Sequence, residues 1–251
     1  MATDTELARD IAQAAGELLL TLQRSGLFRG KALGKAGDRV ANVFIMQALA
    51  ANRPEDAVLS EEEAADPLRL ACRRAWIVDP LDGTREYGEG RTDWAVHVAL
   101  SLDGRPETGA VALPGLGRIF TSQDPAPVFP VAATPPRMLV SRSRPAEQAL
   151  AVANRLGATL VPMGSAGAKA MAVLRNEADI YLHSGGQYEW DSCAPVAVAL
   201  AAGLHASRID GSPLIYNQAN PYLPDLLICH KRDAATILAL IAEIHASQPS
   251  A

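Results

Sequence analysis

The segment Trp76-Ile77-Val78-Asp79-Pro80-Leu81-Asp82-Gly83-Thr84 constrains this chain more than any other. With Ala75, its apolar start reads as a buried strand that Asp79-Pro80 is expected to stop. A carboxylate is thereby delivered to the end of an interior strand, where an ionised group without a partner is costly. Pro80 turns the chain, so Asp79 and Asp82 can approach one point. Two carboxylates held that close repel each other unless a cation sits between them. An oxygen-rich site of this kind suits magnesium, a hard ion. Gly83 lets the backbone approach an anion and offers its N–H to a phosphate, and Thr84 adds a hydroxyl. A DxxD turn alone is more often a pair of solvated aspartates, so the rest of the chain has to decide.

Two further acids point the same way. Glu61 follows the short apolar step Val58-Leu59 and can face inward from an element end, whereas Glu63 in the same run reads as solvated. Asp191 precedes an apolar helix expected over residues 192–202, as its N-cap or a first-turn carboxylate. Capping uses one carboxylate oxygen and leaves the other for a cation.

Helical periodicity predicts helices over 4–24 and 41–51, the latter after a break at Gly26 and Gly30. Residues 93–102 alternate as a strand, and Val111 and Ile119-Phe120 continue a meander. Residues 123–136 hold five prolines and read as a linker. Beyond them, strands at 137–141, 159–162, 179–183 and 226–229 alternate with helices at 146–156, 167–177, 192–202 and 234–246. The expected organisation is two fused subdomains. An α+β unit over 1–125 carries most metal ligands, and an α/β unit over 137–251 carries Asp191 and substrate contacts.

A chain of 251 residues with 49% hydrophobic and 20% charged residues can bury a substantial core. The net charge of −5 argues against a nucleic-acid polymer as partner. The three cysteines show neither CxxC pairing nor zinc spacing. The N-terminal residues lack a leader pattern, and no apolar run reaches the ~18–20 residues that span a bilayer. A cytoplasmic protein without a membrane partner is the expectation.

LSEE, DPLDGT and WDxxAP, in this order, resemble the inositol monophosphatase-like superfamily of lithium-sensitive, magnesium-dependent phosphatases. Within it the chain is most similar to the CysQ type, a 3′(2′),5′-bisphosphate nucleotidase. GSAGAKAMAV (164–173), YLHSGGQYEWDSCAP (181–195) and HASRIDGSPLIYN (205–217) carry that likeness, and AGDRVAN with AVLSEE resembles its actinobacterial form. The resemblance implies a layered αβαβα sandwich, the sugar-phosphatase-like fold. It implies one magnesium on Glu61, Asp79 and the carbonyl of Leu81, and a second on Asp79, Asp82 and Asp191, with a third ion allowed. Thr84 would help to activate the attacking water, Asp38 would hydrogen-bond Thr84, and Glu62 would assist through a water. Ser60 stands where the family often has glycine. Bound magnesium would supply a water acidic enough to attack near neutral pH and would neutralise the leaving oxygen.

The implied reaction is hydrolysis of the 3′-phosphate of 3′-phosphoadenosine 5′-phosphate (PAP) to AMP and phosphate. The sulfated precursor PAPS is a second substrate, and the role is recycling in sulfate assimilation. The alternatives are an inositol 1-phosphate or fructose 1,6-bisphosphate phosphatase and, from other classes, a non-catalytic nucleotide- or metal-binding protein or a scaffold. A small bisphosphorylated nucleotide needs cations beyond the metals. Gly164-Ser165-Ala166-Gly167 opens a helix whose N-terminus could bind an anion, together with Gly83 and Asp191 at the phosphate. Lys169 lies in the first turns of that helix, and Arg142 follows a strand. Tyr188, Trp190 and Tyr216 are candidates to stack on a base, Trp190 suiting core packing better. His183 is a candidate substrate contact, His97 reads as a core histidine, and a homodimer is allowed.

Overall fold

Leu7, Ile11, Ala15 and Leu19 line one buried face of α1 (Asp4–Arg24) in the computed structural model, which describes residues 2–130 and 133–247. Thr3 caps this helix and Glu6 answers at the Thr3 N–H, so two N-terminal donors are satisfied reciprocally. The second helix, α2 (Gly30–Asn52), starts at Gly30 rather than at the expected Ala41. Gly30 reads as a break because each glycine weakens an isolated helix by about 1 kcal/mol. The helix nevertheless runs through two more, Gly34 and Gly37, which are contact points with α3 (Thr84–Gly88). A Cβ on Gly34 would lie 2.7 Å from Thr84 Cγ2, and one on Gly37 would lie 2.8 Å from the Tyr87 ring. Packing at this closeness outweighs propensity.

The first sheet runs in the order β1 (Ala57–Ser60), β2 (Arg74–Asp82), β3 (Ala95–Leu102), β4 (Arg105–Leu113), β5 (Arg118–Thr121). β1 is parallel to β2, and the rest is the antiparallel meander that alternation predicted. The second sheet contains β6 (Arg137–Ser141), β7 (Thr159–Met163), β8 (Ile180–Ser184), β9 (His205–Ser207) and β10 (Asp225–Cys229), in the order β7-β6-β8-β10-β9. β6 is parallel to β7 and β8, whereas β10 is antiparallel to both neighbours. The first sheet draws only on residues before the proline-rich segment, and the second only on residues after it. Residues 131–132 of the expected linker and 248–251 of the expected second unit lie outside the described residues.

α1 and α2 cover the outer face of the first sheet, and α4 (Glu147–Leu156) and α7 (Lys231–Ala246) cover that of the second. Between the sheets lie α5 (Ala166–Leu174) and α6 (Glu189–Ala201). Every residue of α5 is buried, which its alanine-rich, nearly uncharged sequence allows. Three apolar clusters separate the layers, giving the αβαβα order. No helix among the described residues is long and apolar enough to cross a membrane.

Candidate active site

Asp79 and Asp82 are three apart, a spacing that would send their side chains to opposite faces of a regular strand. β2 does not stop at Pro80 as the sequence suggested; it continues to Asp82 through a bulge. Asp79 pairs with His97 and Asp82 with Ala95, so β2 spends one residue more than β3 over this stretch. The extra residue restores both carboxylates to one face. Pro80, with no N–H to offer a neighbour, fits an irregular position that an ordinary ladder would refuse.

Glu61 arrives from the parallel neighbour. It follows the last residue of β1, and its N–H donates to Val78 O at 3.2 Å, so it stands beside Asp79. Asp191 comes from the other side of the sandwich, in the first turn of α6, which begins at Glu189 rather than at Ser192. One of its oxygens accepts from Tyr188 N at 2.7 Å. Pro195, four residues on, has no N–H for the Asp191 carbonyl, so that backbone oxygen lacks its helical donor. Asp79, Asp82 and Asp191 each offer an oxygen within 4.8 Å of the others.

The electrostatics of the group call for a cation. Burial, followed by Glu61, Asp82 and Asp191, pushes Asp79 well above the ordinary carboxylate range. Burial and Asp82 raise Asp191 to about 7. Glu61 also rises to about 7, because its carboxyl sits among protein atoms and near Asp38, Asp82 and Glu62, although the residue as a whole is open to solvent. An all-oxygen donor set with two fully interior members fits a hard divalent ion, and uptake of such an ion would displace these protons.

Asp82 is the exception. Burial would raise it, but His97, Lys169 and Ser165 outweigh that and hold it at about 2. Its surroundings also decide the fate of the anion-binding end expected at Gly164–Gly167. Asp82 Oδ1 accepts from Ala166 N at 3.0 Å, and Oδ2 accepts from Gly167 N at 2.7 Å and from the Ser165 hydroxyl. The N-terminus of α5 is therefore filled by the protein's own carboxylate. Lys169 is buried, and its Nζ donates to Ser165 O at 2.6 Å and Gly164 O at 3.3 Å. Arg142 is paired with Glu86 and Glu89 at 2.8 and 2.7 Å. Gly164, Ser165, Lys169 and Arg142 thus already have partners within the chain.

Gly83, at φ +86°, turns the chain from β2 into α3 in a conformation that favours glycine. Thr84 Oγ1 then lies 3.1 Å from Leu81 O and 3.3 Å from Asp38 Oδ1. Asp38 reaches Thr84 from α2, and burial, with Glu62 nearby, raises its carboxyl to about 7. Asp38 and Glu62 line an open hollow of about 780 Å³.

Of the aromatic candidates, Tyr216 is fully buried and bonded to Ser192, and Tyr188 stacks on Trp190 at 4.8 Å while remaining 40% exposed. His183 Nε2 is 2.7 Å from Gly185 O. Sequence reasoning missed two residues. Glu189, buried, accepts from the backbone N–H groups of Asn217 and Gln218 at 2.5 and 2.7 Å. His97 is buried as expected, but it faces Asp82. The apolar run from Trp94 to Leu100, interrupted by this one polar residue, was the available signal.

A family model described as the inositol monophosphatase family matches residues 2–246. A Mycobacterium leprae (strain TN) protein named 3′-phosphoadenosine 5′-phosphate phosphatase is 50% identical over 256 aligned positions, covering 96% of this chain and 94% of that one. An Escherichia coli (strain K12) protein named 3′(2′),5′-bisphosphate nucleotidase CysQ is 30% identical over 199 positions, covering 75% and 81%. Among solved structures, inositol monophosphatase II from Staphylococcus aureus MSSA476 superposes with a TM-score of 0.81 at 20% identity, covering 96% and 93%.

Proposed function

Because the chain belongs to the inositol monophosphatase family, we propose that it is a magnesium-dependent phosphomonoesterase that removes the 3′-phosphate of PAP, giving AMP and phosphate. The observation that carries the substrate is the 50% identity, over nearly the whole of both chains, to a protein named for that activity. The carboxylate group beside a Thr84–Asp38 pair supports the chemistry. PAPS is a second substrate in this reading, and lithium inhibits.

Glu61, Asp79, the Leu81 carbonyl, Asp82 and Asp191 would hold two magnesium ions, which would supply an acidic water and charge neutralisation at the leaving oxygen. The chain's own residues do the positioning that phosphoryl transfer chiefly requires. The Thr84 hydroxyl has one proton and two acceptors around it, so its lone pairs remain free to receive a hydrogen bond from the attacking water. The Asp38 carboxylate, which accepts from Thr84 Oγ1, is placed to take the proton that Thr84 passes on. Glu62, on the same hollow, can order a second water. Units 1–125 and 137–251 meet at this site, the first supplying Glu61, Asp79 and Asp82 and the second Asp191.

Relative kcat/KM on PAP, inositol 1-phosphate and fructose 1,6-bisphosphate tests the substrate. A clear preference for either sugar ester refutes the nucleotidase reading. Asp82→Asn separates enzyme from binding module: phosphate release should fall by several orders of magnitude with the fold retained, and unchanged release would refute the two-metal site.

A further inference from the structure

His97 lies on β3, on the inner face shared with Ala95 and Ala99, between the first sheet and the middle helices. Those neighbours are small and apolar, and an aliphatic residue would satisfy packing there. The imidazole instead places both nitrogens beside oxygens. Nε2 is 3.3 Å from Asp82 Oδ2, and Nδ1 is 3.0 Å from the backbone oxygen of Trp190, the residue before Asp191. The ring is fully buried. One side chain thus touches two of the chain segments that bring carboxylates to the cluster, one from each sheet's half of the molecule.

The surroundings are built around this ring. A Cβ on Gly167 would collide with His97 Nε2, so α5 can come close enough to cap Asp82 only because position 167 has no side chain. Asp82 Oδ2 then receives the Ser165 hydroxyl and Gly167 N, with His97 Nε2 3.3 Å away, whereas Oδ1 receives Ala166 N alone. One carboxylate oxygen is enclosed by protein and the other keeps a free lone pair.

We propose that His97 is a positioning residue for cation binding. By holding Asp82 Oδ2 and the Trp190 carbonyl together, it fixes the spacing of Asp82 to Asp191 and leaves Asp82 Oδ1 to the ion. This rests on the metal reading of the carboxylate cluster and adds to it the group that orients two of the ligands from outside.

Two near-isosteres divide the contacts. Asparagine keeps a donor where Nδ1 stands and loses the reach to Asp82; glutamine reaches Asp82 and gives up Trp190. Mn2+ is the probe, its free ion counted by electron paramagnetic resonance, alongside kcat, KM and the thermal midpoint in chelator. His97→Asn should weaken Mn2+ binding and lower kcat by about 10–100-fold with KM little changed, the usual size for loss of an outer partner of a ligand. His97→Gln, which keeps the Asp82 contact alone, should recover part of both, while the two midpoints stay close together. His97→Asn binding Mn2+ as tightly as wild type, or both variants losing binding in step with their midpoints, overturns the proposal and leaves His97 as core packing. Wild-type protein that takes up no Mn2+ overturns the metal reading, and this proposal with it.

Discussion

Replacing Gly34 with alanine should damage catalysis far more than folding. The added carbon would lie 2.7 Å from Thr84 Cγ2 and 3.2 Å from Thr84 O. Carbon atoms settle at about 3.5–4.0 Å, so α2 must withdraw by roughly 1 Å. Asp38 is one turn further along on the same face and moves with it. The Thr84–Asp38 hydrogen bond, at 3.3 Å, is already long, and that extra displacement breaks it. Overpacking costs about 1–3 kcal/mol, and the better helix propensity of alanine returns about 1 kcal/mol, leaving a net loss of ~0–2 kcal/mol. Misplacement by about 1 Å at a reacting group is worth ~100-fold in rate. Phosphate release should therefore show kcat reduced by about two orders of magnitude, while calorimetry shows a midpoint only a few degrees lower. Adding Thr84→Ser removes the colliding methyl and keeps the hydroxyl, so the double variant should be faster than the single one. A Gly34→Ala enzyme with near-wild-type kcat, or a double variant no better than the single, would refute the reasoning.

Glu189→Ala strands two backbone donors that the carboxylate now satisfies, at about 1–3 kcal/mol each, and the loss should read as a lower thermal midpoint, with Glu189→Gln milder. Lys169→Met removes charged hydrogen bonds worth about 1.5–3 kcal/mol each from the α5 entrance and should destabilise the chain without changing the kcat/KM ratio between bisphosphate and monophosphate esters; a selective loss on the bisphosphate would instead make Lys169 a substrate contact. The pH response of metal-free protein follows from Asp38 and Asp191, both raised to about 7 chiefly by burial. The folded chain binds more protons than the unfolded one, so their contribution is full below about pH 4 and is lost as pH rises through 7. Midpoints in chelator should fall from pH 5 to 8 and stop falling when magnesium is added; a rise over that range would contradict the shifts.

What the sequence showed and what it hid divide by contact range. α1 and the β2–β5 meander rest on periodicities of 3.6 and 2 that are local, and both were legible. The start of α2 was not, because Gly34 and Gly37 are favourable only against Thr84 and Tyr87, far along the chain. The acidic cluster was legible because chemistry restricts what can stand there. The bulge that points Asp79 and Asp82 the same way was read as a strand end, since Pro80 signals both. The partner of the Gly164–Lys169 stretch was hidden for a different reason: a helix N-terminus attracts any anion, and only the fold shows that Asp82, more than eighty residues earlier, reaches it.

The contact between His97 and Gly167 bears on which substitutions can be inherited. Position 167 cannot drift freely while His97 is fixed. Any side chain at 167 meets the imidazole, so an alanine there becomes admissible only in a lineage whose residue 97 is already smaller. Once it is established, the full-sized ring can return only after position 167 is glycine again. The order of the two changes therefore matters, and descendants of one ancestor can become separated by two steps that must be retraced in sequence.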